Sequence, residues 1–132
     1  MKGNDLIYIV EYDERILEIE NIALTREGFP TKLFESGEEF LKALDQGLPA
    51  LVILDIMLQG IDGLAVLKRL KTNPETAKLP VILVTAKTSN MDEILGLEQG
   101  ADDYITKPFD LQVFVSRVKA TLRRAHASDT SD

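Results

Sequence analysis

The chain has 132 residues, of which 45% are hydrophobic and 28% charged, a balance typical of one globular domain with a single core. It contains no cysteine, which excludes disulfide frameworks and thiolate metal sites. The formal net charge of -7 argues against a nucleic-acid-binding surface, because such surfaces are basic. No apolar run is long enough to span a bilayer and no signal peptide begins the chain, so we expect a cytoplasmic protein without membrane association.

Five short runs rich in β-branched and other apolar residues predict the strands. They cover residues 6–10, 31–34, 51–54, 81–85 and 104–106. Three of these runs are continuously apolar, which is expected of strands that are buried on both faces.

Helical patterns lie between the strands, and several of their ends are recognisable. The second helix is predicted to begin at a Ser36 N-cap, with Glu39 three residues later at the spacing of a capping box. The first ends at Gly28 and the third stops before Pro74, both typical terminators. The expected core faces are Ile16, Ile19 and Ala23 in the first helix, Leu64, Leu67 and Leu70 in the third, and Leu111, Val115 and Val118 in the last.

The strict alternation of strands and helices predicts an α/β fold. We expect a doubly wound, five-stranded parallel sheet with helices on both faces. Residues 1–125 are expected to form the domain, and the small, polar residues 126–132 to form a frayed tail or a linker stub.

Polar side chains follow the strands at the edge where an open parallel sheet binds its ligands. They are Glu11, Tyr12 and Asp13 after the first strand, Asp55 at the third, Thr85 and Ala86 at the fourth, and Lys107 at the fifth. Clustered oxygen ligands without His or Cys favour a hard cation such as Mg²⁺. A Lys and a Thr beside them suit a phosphoryl group.

Two other kinds of site are excluded. The only histidine is His126, in the tail, so no Ser-His-acid set can form. The chain also has no glycine-rich phosphate loop of the nucleotide-binding types.

Four motifs, "IVEYDE", "LVILDIMLQGIDG", "VILVTA" and "GADDYITKPF", occur in this order on the predicted strand ends. Over nearly its whole length the chain resembles the receiver domains of two-component response regulators, which have a flavodoxin-like (CheY-like) (βα)5 fold. The last motif, which runs into "VKATLRR", is most similar to the OmpR/PhoB winged-helix transcription-factor subfamily.

The resemblance implies a phospho-acceptor and a metal site. Asp55 would accept a phosphoryl group from a partner sensor histidine kinase, forming an aspartyl phosphate. Mg²⁺ would be held by Asp55, by the backbone carbonyl of Met57 and, through water, by Glu11. Asp13 is an alternative ligand.

The resemblance also implies how the phosphoryl group is bound and sensed. Lys107 would pair with it, and Thr85 with the adjacent Ala86 would lie against it. Tyr104 would swing inward when Thr85 moves. The Lys107–Pro108 bond is expected to be cis, as in the family.

Two further implications concern the loops. Met57 and Lys87 stand where the family tunes access of the hydrolytic water, and neither is a carboxylate or amide, so slow dephosphorylation is expected. Gln59 replaces a proline that is usual in the family, so the loop after Asp55 is expected to be less rigid.

The main departure from the family is Tyr12, which stands in place of the second acid of the acidic pair. A neutral phenol is a poor Mg²⁺ ligand. Either the ring turns outward and leaves a weakened metal site, or Asp13 reaches inward, or no metal binds. We expect the first outcome.

The resemblance further implies a homodimer through the fourth helix, fifth strand and fifth helix. Asp103 with Arg117, and Glu98 with Lys119, are expected to pair across it. A third pair is expected to be missing, because Glu93 would face Val113.

The favoured function is a phospho-accepting signalling switch, not a turnover enzyme, whose output is transcription through a DNA-binding domain absent from this chain. One alternative is a pseudo-receiver, a dimerisation or docking module that works without phosphorylation; Tyr12 favours it. A haloacid-dehalogenase-like phosphatase would need a second Asp at the position of Met57.

Overall fold

The computed structural model describes residues 5–86 and 90–130; for residues 90–93 and 128–130 only the backbone is described. The strands are β1 (Ile7–Val10), β2 (Thr31–Phe34), β3 (Leu51–Asp55), β4 (Val81–Ala86) and β5 (Asp103–Lys107). The helices are α1 (Glu14–Arg26), α2 (Gly37–Ala43, continued by a 3-10 turn at Leu44–Gln46), α3 (Gly63–Thr72), α4 (Asn90–Glu98) and α5 (Leu111–Thr130).

The five strands form one parallel sheet in the order β2-β1-β3-β4-β5. The chain winds outward from β1 in one direction and from β3 in the other, so the direction reverses between these two strands. Such a reversal opens a crevice at the carboxyl ends of the strands. The fold therefore prepares a binding site beside β1 and β3.

Two apolar layers cover the sheet. On one side, α1 and α5 pack over alternate strand residues such as Ile9 and Ile53. On the other side, α2 and α3 pack over residues such as Val10 and Leu54. The helix α4 also lies on this second side, because Gly96 approaches Leu83 closely.

The predicted elements are largely confirmed. Every predicted strand agrees with the observed one to within one residue at each end. The Ser36 hydroxyl accepts a hydrogen bond from the Glu39 N–H at 3.1 Å and caps α2, as predicted. Gly28 follows α1 with a φ of 91°, a conformation that glycine adopts without steric cost.

The predicted core face of α1 is only partly right, because Ala23 packs against the core but Ile19 does not. Ile19 is 46% exposed, whereas Leu17, Glu20 and Leu24 are the buried residues of this helix. The apolar pattern misled the prediction because a glutamate occupies a core position and an isoleucine a surface one.

The end of α5 also differs from the prediction. Leu111 is exposed, whereas Val118 is buried as predicted, together with Phe114 and Leu122. The helix continues to Thr130, into the residues expected to form a frayed tail or a linker stub. The His126 ring lies 3.1 Å from an Asp5 carboxylate oxygen, which ties this part of the helix to the start of β1.

Within residues 5–86 and 90–130, none of the helices is long and apolar enough to cross a membrane.

Candidate functional site

The centre of the site is an ammonium group between two carboxylates. Lys107 Nζ donates to Glu11 Oε1 at 2.6 Å and to Asp55 Oδ2 at 2.8 Å. All three side chains are largely shielded from solvent. Sequence reasoning brought these three residues to one edge, and the structure places them in direct contact.

The strands aim these side chains at the same point. In each strand, the residue two positions earlier faces the layer under α1 and α5: Ile9, Ile53 and Ile105. Because side chains alternate along a strand, Glu11, Asp55 and Lys107 continue on that side, at the carboxyl edge of the sheet. Their convergence follows from parallel pairing of β1 with β3 and from a shared register.

Asp55 is held by the backbone around it. Its Oδ1 atom accepts a hydrogen bond from the Met57 N–H at 2.9 Å. The start of α3 presses against the Asp55 backbone, since a Cβ at Gly63 would lie 2.2 Å from the Asp55 carbonyl oxygen. Only glycine permits this approach, which explains the "DG" in the second motif. The Met57 side chain is 59% exposed.

The ionisation of the cluster is shifted by burial and by its neighbours. Burial raises the pKa of Glu11 to about 7, and a hydrogen bond with Asp55 adds to the rise while Lys107 opposes it. Burial lowers the pKa of Lys107, but its bonds with Asp55 and Glu11 outweigh this effect, so the pKa is raised. Lys107 therefore stays charged, and Glu11 exchanges its proton near neutrality.

Thr85 and Tyr104 lie on the other side of the sheet from Lys107. The Thr85 hydroxyl is buried and finds no hydrogen-bond partner among the described residues. Tyr104 is buried in the core on this side. Ala86 is exposed and pairs in register with Lys107. The Lys107–Pro108 peptide bond is cis, as expected.

Tyr12 is 48% exposed, so its ring does not fill the acid site. This is the outward orientation that we expected. Asp13 does not replace the missing acid: its Oδ1 accepts from the N–H groups of Arg15 and Ile16 and caps α1. Glu11 Oε2 in turn accepts from the Asp13 N–H at 3.1 Å, so the acid site and the first turn of α1 are linked.

The loop after Asp55 is fastened by a residue that sequence reasoning missed. Glu38, at the start of α2, accepts a hydrogen bond from the Ile61 N–H at 2.8 Å. A Cβ at Gly60 would collide with the same carboxylate. This hydrogen bond lowers the pKa of Glu38. It also fixes the loop in which Gln59 stands where the family usually has a proline. Lys87 lies outside the described residues.

A buried acid, Glu20, was also missed. It is fully buried on the core face of α1, and neither of its carboxylate oxygens has a hydrogen-bond partner among the described residues. Burial raises its pKa to about 8, and the negative charges of Glu11 and Asp55 contribute while Lys107 opposes. The signal in the sequence was its spacing, because Glu20 lies between the core residues Leu17 and Leu24.

The donors present fit a hard cation. Glu11 and Asp55 are two carboxylates that converge on one point, and Mg²⁺ commonly binds one or two carboxylates and keeps several waters. Among the residues that the structure describes, no group of three or more acidic or histidine side chains could hold a metal ion. A third direct acidic ligand, which the family pair would supply at Tyr12, is therefore missing.

The residues expected to pair across a dimer pair within the chain. Arg117 Nη1 lies 3.0 Å from Asp103 Oδ1, and Lys119 Nζ lies 2.5 Å from Glu27 Oε1. Glu98 and Val113 are exposed. The side chain of Glu93 lies outside the described residues. Large apolar side chains are exposed nearby on α4 and α5, namely Ile94, Leu95, Leu97, Leu111 and Val113.

Comparison with known proteins identifies the kind of domain. The family model described as "Response regulator receiver domain" matches residues 7–119. The chain is 40% identical to the transcriptional regulatory protein AfsQ1 of Streptomyces coelicolor, over 94% of this chain and 54% of that protein. It is 41% identical to the phosphate regulon transcriptional regulatory protein PhoB of Rhizobium meliloti, over 90% of this chain and 52% of that protein.

The fold agrees with a solved structure. A CheY-like response regulator receiver domain protein from Methanospirillum hungatei superposes with a TM-score of 0.88 at 25% identity, over 96% of this chain and 99% of that one. The predicted CheY-like fold and the similarity to OmpR/PhoB-type regulators are confirmed. The chain spans about half the length of the two curated relatives.

Replacing Glu20 by Gln should flatten the pH dependence of stability. The folded-state pKa is about 8 against an ordinary 4.5, so from about pH 4.5 upward the unfolded chain loses this proton while the folded chain keeps it. Native stability should therefore fall relative to Glu20→Gln as pH rises, by up to about 3 kcal/mol at neutrality.

Urea unfolding across this pH range measures the difference. The exposed neighbour Glu18, changed to Gln, is the matched control and should follow the native curve. Glu11 titrates in the same range but is common to all three proteins. Parallel curves for native and Glu20→Gln would contradict the prediction.

Proposed function

This chain belongs to the family of response regulator receiver domains, and we propose that it is a phospho-accepting switch in which Asp55 is the acceptor. The observation that carries the proposal is the Lys107 ammonium held between Asp55 and Glu11. This arrangement combines a buried nucleophile with a fixed positive charge beside the place where phosphoryl charge would develop.

The chemistry assigned to Asp55 is nucleophilic attack on the phosphorus of a phosphohistidine. One carboxylate oxygen forms the new O–P bond while the N–P bond breaks and the electron pair leaves with the imidazole. The Met57 N–H fixes Asp55 Oδ1, which orients the carboxylate. Lys107 would move its hydrogen bond from Asp55 Oδ2 to a phosphoryl oxygen and neutralise part of the added charge.

A divalent cation, Mg²⁺ in this proposal, would be held by Glu11, Asp55 and the Met57 carbonyl. When bound, it supplies charge neutralisation and alignment for phosphoryl transfer. The outward ring of Tyr12 and the helix-capping role of Asp13 leave water to complete the coordination, so we expect weak binding.

The output of the switch would pass through Thr85. Its buried hydroxyl has no hydrogen-bond partner in the part of the chain that the structure describes, and a phosphoryl oxygen would supply an acceptor. Movement of Thr85 toward it would open space beside Tyr104, which is buried on the same side of the sheet. Rearrangement of Tyr104 would then alter the surface formed by α4, β5 and α5.

The partners follow from this chemistry and from the relatives. The phosphoryl donor is a sensor histidine kinase. The full-length relatives are transcriptional regulators about twice as long as this chain, so DNA binding would belong to a separate domain. The chain itself is modified once per signal and does not turn over a substrate. It works in the cytoplasm.

A pseudo-receiver that only dimerises or docks is the second candidate, and Tyr12 favours it. The complete set of Asp55, Lys107 and Thr85 favours the phosphorylated switch. These side chains are buried at a cost, which a docking module would have no reason to bear.

Acetyl phosphate with Mg²⁺ should add one phosphoryl group to the native chain, and Asp55→Asn should abolish the addition. The amide keeps the shape but is a poor nucleophile. Intact-mass spectrometry measures the product. Asp62→Asn is the matched control, because Asp62 caps α3 and Asn is an equally good cap. A native chain that gains no mass would support the pseudo-receiver, and labelling of Asp55→Asn would refute the assignment.

Tyr12→Asp should bind Mg²⁺ roughly tenfold or more tightly than the native chain, because it adds a carboxylate where the family has one. Isothermal titration calorimetry measures the affinity, and the rate of phosphorylation against Mg²⁺ concentration gives a second readout. Tyr12→Phe keeps the ring and should bind like the native chain. Equal affinities of Tyr12→Asp and the native chain would show that position 12 does not reach the metal.

Arg117→Glu should weaken a homodimer through α4, β5 and α5. The change places two acids side by side at Asp103, where an ion pair now lies, and it leaves no cation for the partner. Sedimentation with and without a phosphoryl mimic measures the effect. Arg123→Glu makes the same charge change on a different face of α5 and should leave association unchanged. A native chain that remains monomeric at high concentration in both states would refute the dimer.

A further inference from the structure

Glu20 is a buried ionisable group that the proposed phosphoryl transfer does not use. It is fully buried, both carboxylate oxygens lack hydrogen-bond partners among the described residues, and it interacts electrostatically with Glu11, Asp55 and Lys107. Burying an unpartnered carboxyl is unfavourable. It holds nothing together through hydrogen bonds, so a structural role does not account for it.

The position of Glu20 directs it toward the acid site. The helix α1 begins at Glu14, immediately after the carboxyl edge of the sheet. Side chains on a helix tilt toward its N-terminus, so the Glu20 carboxyl extends toward that edge. Glu20 is the buried α1 residue between Leu17 and Leu24, and these two leucines pack in the layer that Ile9 and Ile53 also face.

The remaining neighbours in this layer carry no charge. From α5, the buried side chains are Phe114, Val118, Thr121 and Leu122, none of which is charged. From the sheet, the charged groups that act on Glu20 are Glu11, Asp55 and Lys107. The charge of Glu20 therefore interacts with Glu11, Asp55 and Lys107 through apolar surroundings, where electrostatic interactions are strong.

We propose that Glu20 is a third acid of the divalent-cation site, which supplies from within the core the negative charge that Tyr12 does not supply from the surface. Glu20 belongs to no group of three acidic side chains that could hold a metal directly. It acts through its charge, as a positioning residue beneath Glu11 and Asp55.

The charges define this role. At about pH 8.5, where Glu11 and Glu20 are both mostly ionised, the carboxylates of Glu11 and Asp55 and the ammonium of Lys107 together leave one net negative charge. Glu20 adds a second, which matches a divalent cation, whereas at neutrality it mostly keeps its proton. This inference rests on the proposed function, because it assumes that a cation occupies the site.

The test is Mg²⁺ binding followed by backbone amide chemical shifts, which does not require phosphorylation. At about pH 8.5 the Glu20 carboxyl is mostly ionised. There, Glu20→Gln should weaken Mg²⁺ binding roughly tenfold, the size of effect seen when groups behind metal ligands are removed. Glu20→Leu, which fills the same space without a charge or an amide, should weaken it similarly. Glu18→Gln should bind like the native chain.

A carboxylate introduced at position 12 should reduce the dependence of Mg²⁺ affinity on Glu20. In a Tyr12→Asp background, Glu20→Gln should weaken binding by much less than it does alone, which a role confined to packing would not produce. Native affinity in both Glu20→Gln and Glu20→Leu, or an equal loss with and without Tyr12→Asp, would overturn the inference and leave the proposed function standing. No Mg²⁺ binding by the native chain at any concentration tested would overturn both.

Discussion

The ammonium group of Lys107 balances two carboxylates that the sheet removes from water. Neither Glu11 nor Asp55 would tolerate this burial beside the other without a cation between them, because two like charges in a low-dielectric region repel strongly. The carboxyl ends of β1, β3 and β5 must therefore stay in register, since a slip of one residue would turn one member of the trio to the opposite face. The fold and the site share this single requirement.

The same contact explains why the domain is suited to switching. A cation or a phosphoryl group that entered the site would change the charge around Lys107. The most favourable position of its ammonium group would therefore change. On the other side of the sheet, the buried Thr85 hydroxyl has no partner among the described residues and could donate a new hydrogen bond. The apo state thus contains polar groups that are incompletely satisfied, and binding can satisfy them. Proteins commonly tolerate such local costs at functional sites.

Sequence reasoning succeeded where one physical rule dominated. Continuous apolar runs identified the buried strands, and the rule that ligands bind at the carboxyl edge brought Glu11, Asp55 and Lys107 together. It failed where two rules competed. Hydrophobic periodicity assigned Ile19 to the core of α1, but the register set by Leu17 and Leu24 placed Glu20 there. The composition of residues 126–130 suggested a frayed tail, but the helix that precedes them continues.

Partner choices among charged residues were the least predictable feature. Arg117 and Lys119 both reach acids within their own chain, and their expected pairing across a dimer stays a prediction. Long side chains on a surface have several acids within reach, and each exposed pair contributes only about 0–1 kcal/mol. Sequence spacing cannot rank such alternatives. The hydrogen bond from the Ile61 N–H to Glu38 was not predicted for a related reason. It joins residues that are 23 positions apart and lie on separate elements, so no local sequence pattern indicates it.

The hydrogen bond from the Asp13 N–H to Glu11 Oε2 has a kinetic consequence. Asp13 is also the N-cap of α1, so the first turn of this helix depends on where Glu11 points. A Glu11 carboxylate that turned to the proposed cation would release the Asp13 N–H, and the cap would lose part of its support. Local opening of the turn would then become more frequent, and amide hydrogens at Arg15 and Ile16 would exchange faster with solvent. The start of α1 would thereby report the occupancy of the site on the timescale of hydrogen exchange.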